Sequence, residues 1–275
     1  MGNIICVEHI DIPELDLYVG NKEVHLLRFY EPEPGIFIAE SRNVIEIALK
    51  KGFEPLSVVC TRRFIGDEIL DRMGDIPIYV VDPEKAKKHF GYVLTGGILT
   101  AMRRKPNPKL SEVIGGARRI IVLEDVENPT NVGAVFRSAA AFGFDGVVLS
   151  PSSVDPFYRR AMRVSVGNAL NIPWTFFGRN RREWEETGVE SLKEAGFLTV
   201  ALALRKDNVC IDDPCLKTAD KVALFLGNEG KGLLDQTIDK CDKVARIPMM
   251  NGVDSLNVSV AAALAMWELR EKKVE

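Results

Sequence analysis

Residues 224–234, LFLGNEGKGLL, set three glycines, Glu229 and Lys231 directly after an apolar run. Such a composition invites a phosphate loop, and the spacing decides against one. A Walker-type loop needs four residues between its first two glycines, then a Lys-Ser/Thr pair for phosphate and Mg²⁺. Here Gly227 and Gly230 are separated by two residues, and Gly232 stands where the metal-binding hydroxyl belongs. No G-x-G-x-x-G fingerprint follows this strand or any other. The segment reads as a strand-to-loop turn whose glycines let another group come close to the backbone.

Other reactive side chains narrow the chemistry further. His9, His25 and His89 form no HxxxH or HExxH pair, so no metal site is visible. No histidine follows His89, so proton transfer in the rest of the chain must do without imidazole. The five cysteines are odd in number and form no CxxC pair, which reads as reduced, mostly buried thiols of a cytosolic protein. The start, MGNIICVEHIDIPELDLYVG, lacks a basic flank and a long apolar run, so neither a signal peptide nor a membrane span is expected and the cytoplasm is the expected location. Composition is that of a globular protein, 46% apolar and 27% charged, with a net charge of −3. Positive charge is nevertheless clustered: six cations against Glu112 alone in 103–119, then Arg159, Arg160 and Arg163, then Arg179, Arg181 and Arg182. Three clusters on an acidic chain predict a local polyanion footprint.

These groups must be positioned by alternating strands and helices. Residues 35–40, 55–60 and 77–81 read as strands, with helices over 41–52, opened by Ser41 and closed by Gly52, and over 82–89. Residues 103–117 carry two prolines and paired glycines and read as a linker. A second series follows, with strands at 118–125, 146–149, 198–202 and 222–226, whose continuous apolar runs predict a mostly parallel sheet covered on both faces. The last helix, 255–273 with Ser255 as its cap, is apolar nearly all round until Glu268 and must be buried in a core or a subunit interface.

Three stretches of the second half, in order, resemble the motifs of the SpoU-type RNA 2′-O-ribose methyltransferases of the SPOUT superfamily. They are ENPTNVGAVFRSAAAFG (127–143), LFLGNEGKGL (224–233) and IPMMNGVDSLNVSVAAAL (247–264), and RVSVGNALNIP (163–173) is similar to an intervening stretch of the family. The first half resembles, less specifically, the L30e-like accessory domain that many such proteins carry. The resemblance implies an α/β chain with an L30e-like RNA-binding domain over 1–105, a linker over 106–117 and a methyltransferase domain over 118–275. That second domain is expected to be a parallel sheet with a deep trefoil knot that binds S-adenosylmethionine.

By motif match Gly227, Ile247 and Leu256 line the donor pocket, with Met250 as a further wall. The family assigns proton removal to the residue matching Arg137, aided by polar groups matching Asn131, Glu229, Ser255 and Asn257. An arginine pKa above about 12 makes literal deprotonation costly, and holding phosphate while stabilising a developing alkoxide is the other role open to Arg137. Arg118, Arg119, Arg159, Arg160 and Arg163 are the candidate contacts to the RNA backbone. The expected partners are rRNA or tRNA and a second copy of the chain, with no metal and no membrane. A catalytically silent RNA-binding protein on the same fold is the alternative, and its hallmark would be loss of Arg137 or Asn257.

Overall fold

The computed structural model describes residues 3–19, 35–205 and 207–271, which fall into two compact units. The first comprises Met1–Pro106 with Phe157–Asn171, the second Asn107–Pro156 with Ile172–Glu275. His25 lies outside the described residues.

The first unit is built on strands β1 (Asn3–Cys6), β2 (Ile36–Glu40), β3 (Pro55–Cys60), β4 (Pro77–Val80) and β5 (Ile98–Arg103), in the order β1-β4-β3-β5-β2. β1, β4 and β3 run parallel, and β5 is antiparallel to both β3 and β2. Helix α1 (Arg42–Lys50) follows β2, and α2 (Pro83–Phe90) follows β4. Sequence chemistry sets the ends of α2. Asp82 accepts from the amides of Glu84 and Lys85, Pro83 occupies the first turn, and Gly91 closes the helix in the left-handed conformation. Ser41, expected to cap α1, makes no capping hydrogen bond and sits at φ 81°. A hydroxyl in that conformation does not present itself to the first-turn amides. The segment Phe157–Asn171 packs with this unit: Phe157 lies 4.8 Å from Phe37 and 5.9 Å from Phe53, ring centre to ring centre.

The second unit is a seven-stranded, wholly parallel sheet, as its apolar strands require. It contains helix α3 (Leu110–Ile114), β6 (Arg119–Leu123), α4 (Pro129–Phe142), β7 (Gly146–Leu149), β8 (Trp174–Phe176) and α5 (Arg181–Glu194). There follow β9 (Leu198–Leu202), β10 (Val209–Cys210), β11 (Val222–Leu226), α6 (Asp235–Lys240), β12 (Lys243–Arg246) and α7 (Val258–Leu269). The sheet order is β10-β12-β9-β11-β6-β7-β8. From β6 the chain proceeds to one side of the sheet and from β11 to the other. The crevice beyond their carboxyl ends is therefore the switch point where such sheets place ligands.

Several expectations change on inspection. Residues 106–117, read as linker, include α3 (Leu110–Ile114), and Val113 and Ile114 are buried in the second unit's core because a short apolar run has a sheet to pack on. The last helix is capped by Asn257, whose side chain accepts from the Ser259 amide, and not by Ser255. Of the five thiols only Cys60 is buried, and Cys6 and Cys215 are exposed. Along α7, Val258, Ala262, Ala265, Met266 and Leu269 are buried, whereas Val260, Leu264 and Trp267 form an exposed apolar stripe at spacings of four and three residues.

Candidate active site

Because β6 and β11 pair with Leu123 opposite Leu226, the loops that leave them are neighbours. Residues 227–233 fold into a tight hairpin. Asn228 and Gly232 exchange both backbone hydrogen bonds, at 3.1 and 2.9 Å. Gly227 can carry no side chain, since a Cβ there would lie 2.2 Å from the Gly232 carbonyl carbon and the Leu233 nitrogen. The group that approaches its backbone is thus the returning limb of its own loop. Asn228, which the sequence reading passed over, holds the turn together. Its Oδ1 accepts from the Gly230 and Lys231 amides and its Nδ2 donates to the Asp125 carbonyl at 2.8 Å. Asn-Gly-rich turns are the signal that would have found it. With these two amides spent inside the turn, the loop offers no phosphate nest.

A cavity of about 400 Å³ opens between this hairpin, residues 202–205 at the end of β9, and the segment that joins β12 to α7. That size suits one small molecule. Gly227, Glu229, Ile247, Ser255 and Leu256 all line it. Met250 does not: it is 80% exposed, and its neighbour Met249 faces the cavity in its place. In an extended segment adjacent side chains point opposite ways, so only one of the pair can form a wall.

The three motif segments meet through one line of hydrogen bonds. Asn131 Nδ2 donates to Glu229 Oε1 at 2.6 Å, and Asn257 Nδ2 donates to Asn131 Oδ1 at 3.1 Å. Asn257 Oδ1 in turn accepts from the Ser259 amide and hydroxyl. Asn131 is buried, so both halves of its amide are committed, and Glu229 keeps one oxygen without a partner among the described residues. Arg137 lies on α4 between the buried Phe136 and the half-buried Ser138, exposed, and makes no hydrogen bond or ion pair among the described residues. It is not part of the cavity wall. Among the described residues no group of three or more acidic, histidine or cysteine side chains is placed to hold a metal ion.

The five arginines chosen as RNA contacts divide. Arg119 is corrected outright. It is 4% exposed, and its guanidinium donates to the carbonyls of Leu269, Arg118, Asp220 and Ala219 at 2.8 to 3.1 Å. It opens β6, an inner strand buried on both faces, and burial lowers its pKa. Arg118 points outward and pairs with Asp220 and Glu271. Arg159 is bonded to the buried Glu40 at 2.7 Å and lies over the Tyr92 ring, within the first unit. Arg160 and Arg163 are exposed. Arg119→Ala should therefore cost about 3 kcal/mol of stability by stranding buried carbonyls. Urea denaturation is the check, and an unaltered midpoint would return Arg119 to the list of surface cations.

Comparison with known proteins meets this geometry. The SpoU rRNA methylase family profile matches residues 118–267. An uncharacterized tRNA/rRNA methyltransferase of Mycobacterium bovis is 36% identical over 236 residues, 85% of this chain and 80% of that protein. The 23S rRNA (guanosine(2553)-2′-O)-methyltransferase RlmP of Bacillus subtilis is 31% identical over 172 residues, 62% of this chain and 64% of that protein. Among solved structures, an AdoMet-bound rRNA methyltransferase from Sinorhizobium meliloti superposes with a TM-score of 0.81 at 21% identity, covering 98% of both chains, which speaks to the fold. With both the profile and the mycobacterial relative spanning so much of it, the chain belongs to the SpoU rRNA methylase family.

Proposed function

We propose that this chain transfers the methyl group of S-adenosylmethionine to a ribose 2′-hydroxyl of rRNA or tRNA. The observation that carries the reading is the line of hydrogen bonds joining Glu229, Asn131 and Asn257 beside a cavity without a phosphate nest. As a member of its family the chain is an RNA methyltransferase with S-adenosylmethionine as donor. The ribose as acceptor is the finer claim, supported by the name of the Bacillus subtilis relative. A silent binding protein is not favoured, because Arg137 and Asn257 are both present.

The residues of the cavity fit S-adenosylmethionine, which carries a sulfonium, an amine and a carboxylate and no phosphate. Glu229, Asp235 and Asp254 place carboxylates at its wall and Arg205, Lys231 and Arg246 place cations, while Leu202, Ile247, Leu256 and Ala261 supply apolar surface. When bound, the donor supplies an already activated methyl group. What the chain must add is alignment of the acceptor oxygen and management of its proton. Asn131 and Asn257 fix Glu229, whose unpaired oxygen can accept from a ribose hydroxyl. Arg137 would neutralise the oxyanion that develops or hold the adjoining phosphate. The exposed Arg160 and Arg163 would meet the RNA backbone, and the first unit would select the RNA in the cytoplasm. Ribose-methylation maps of rRNA and tRNA from cells with and without the gene test this directly. A single site that loses its methyl group supports the assignment, and identical maps refute it.

A homodimer belongs to the same proposal. The stripe of Val260, Leu264 and Trp267 is apolar surface on a helix that packs its other face inward, and a second copy would cover it. Pairing would also bring a partner to the exposed Arg137, which does not reach the cavity of its own chain. Leu264→Glu should shift light scattering from dimer to monomer at micromolar concentration and abolish methyl transfer. A monomeric parent with full activity would overturn the dimer. The finer fold reading is likewise proposed: an L30e-like first unit, supported by its mixed five-stranded sheet, and a trefoil knot in the second. The knot is supported by the return of the chain from β12, beyond β9, to α7, where Trp267 meets Phe142 of α4 at 5.8 Å. Pulling the chain by its ends should give a contour shorter than its residue count allows.

A further inference from the structure

Glu124 takes no part in the line of hydrogen bonds described above, yet it is the most completely enclosed carboxylate near the cavity, with no exposed surface. It leaves the end of β6, where its amide donates to the Leu226 carbonyl at 2.9 Å. Its side chain is held by three donors from three parts of the second unit. Oε1 accepts from the Leu234 amide at 2.7 Å. Oε2 accepts from Trp184 Nε1 on α5 at 2.8 Å and from the Thr237 hydroxyl on α6 at 2.6 Å. Burial raises its pKa, and the three donors oppose that shift.

Leu234 is the residue at which the hairpin 227–233 ends, and that hairpin is one wall of the 400 Å³ cavity. The other end of the hairpin is tied to the next residue along, since Asn228 Nδ2 donates to the Asp125 carbonyl. Asp125 is itself held at φ 55°, a conformation that costs about 1–3 kcal/mol unless its surroundings impose it. Here its amide and carboxylate both bond the Ser150 hydroxyl, at 2.9 Å each. Both limbs of the hairpin are thus anchored to the two residues that follow β6, one through a carbonyl and one through a buried carboxylate. A wall fixed before the ligand arrives saves the ordering cost of binding.

We infer that Glu124 is a positioning residue for the methyl-donor site, one that fixes the exit of the hairpin 227–233 without touching the donor. This rests on the reading of the cavity as the donor site. The chemistry demands a carboxylate at this place. The Leu234 and Trp184 N–H groups can only donate, whereas the Thr237 hydroxyl can also accept. A glutamine here has one acceptor oxygen, so whichever way its amide turns, one obligate donor faces an NH₂ group.

Glu124→Gln in the full-length chain should weaken S-adenosylmethionine binding by calorimetry at least about tenfold, while kcat at saturating donor stays within about threefold. Trp184→Phe removes the competing N–H. In Glu124→Gln/Trp184→Phe the glutamine oxygen can then face Leu234 and its NH₂ can donate to Thr237. Donor affinity of the double variant should return to within about threefold of Trp184→Phe alone. A general loss of packing would not be rescued in this way. If Glu124→Gln fails to fold, Thr237→Val carries the test, with an expected loss of about threefold in donor affinity for one missing donor. Parent-like affinity in whichever of these single variants carries the test, or a double variant no better than Glu124→Gln, overturns the role of Glu124. A parent chain that binds no donor instead overturns the reading of the cavity.

Discussion

Arg137→Ala should leave S-adenosylmethionine affinity within about twofold of the parent and lower methyl transfer at least about a hundredfold. The first half of that expectation follows from position, because Arg137 is exposed on α4 and forms no part of the cavity wall. The second follows from chemistry. The described cavity wall contains no histidine to take the proton, its cations are Arg205 (paired with Asp235), Lys231 and Arg246, and Arg137 is the arginine that the motif match assigns to the reaction. Arg137→Lys separates the two roles left open for this side chain. Lysine keeps the positive charge and releases a proton more readily, but it loses the planar fork that grips phosphate in two places. Substantial activity in the lysine variant favours proton transfer or simple charge. A dead lysine variant with intact donor binding favours bidentate anchoring. Parent-like transfer in both variants would remove Arg137 from the mechanism.

The largest effect on donor binding is expected at Gly227, where alanine is already too large. A Cβ 2.2 Å from two backbone atoms of Gly232 and Leu233 cannot be relieved by a side-chain rotation, so the hairpin limbs must separate. Gly227→Ala should weaken donor binding by at least about a hundredfold, the equivalent of nearly 3 kcal/mol. Gly230→Ala is the matched control. Its Cβ would meet only Asn228 Oδ1, at an ordinary 3.6 Å, and affinity should stay within about threefold. Calorimetric titration of both variants decides the matter. Equal affinities would mean that the hairpin is not a wall of the donor site.

Much of the second unit was legible because buried parallel strands are continuous apolar runs. The strands at 146–149, 198–202 and 222–226 stand where the sequence puts them. β12, KVAR, was invisible for the opposite reason: it is short and half charged, and its pairing with β9 and β10 makes it a strand. Charge clustering misplaced Arg119, since a pair of arginines says nothing about which of them opens a strand buried on both faces. Helix caps were ambiguous where Ser255 and Asn257 stand two residues apart, and the bond from Asn257 to Asn131, 126 residues away, settles which one serves. The stretch Phe157–Asn171, which the resemblance puts in the domain 118–275, groups with the first unit instead. It lies between two parts of the second unit but buries Phe157 against Phe37 and Phe53 of the first. A truncated protein starting near residue 107 would therefore strand Phe157, and point changes at Arg160 or Arg163 are the cleaner probe of RNA contact.

The acceptor atom can be read in one experiment. RNA from cells lacking the gene is incubated with the purified chain and S-adenosylmethionine bearing a deuterated methyl group, then digested to nucleosides for mass spectrometry. The expected product is a labelled nucleoside whose label leaves with the sugar when the glycosidic bond is cleaved. Label that stays with the free base, or RNA that acquires none, would contradict methylation of the ribose.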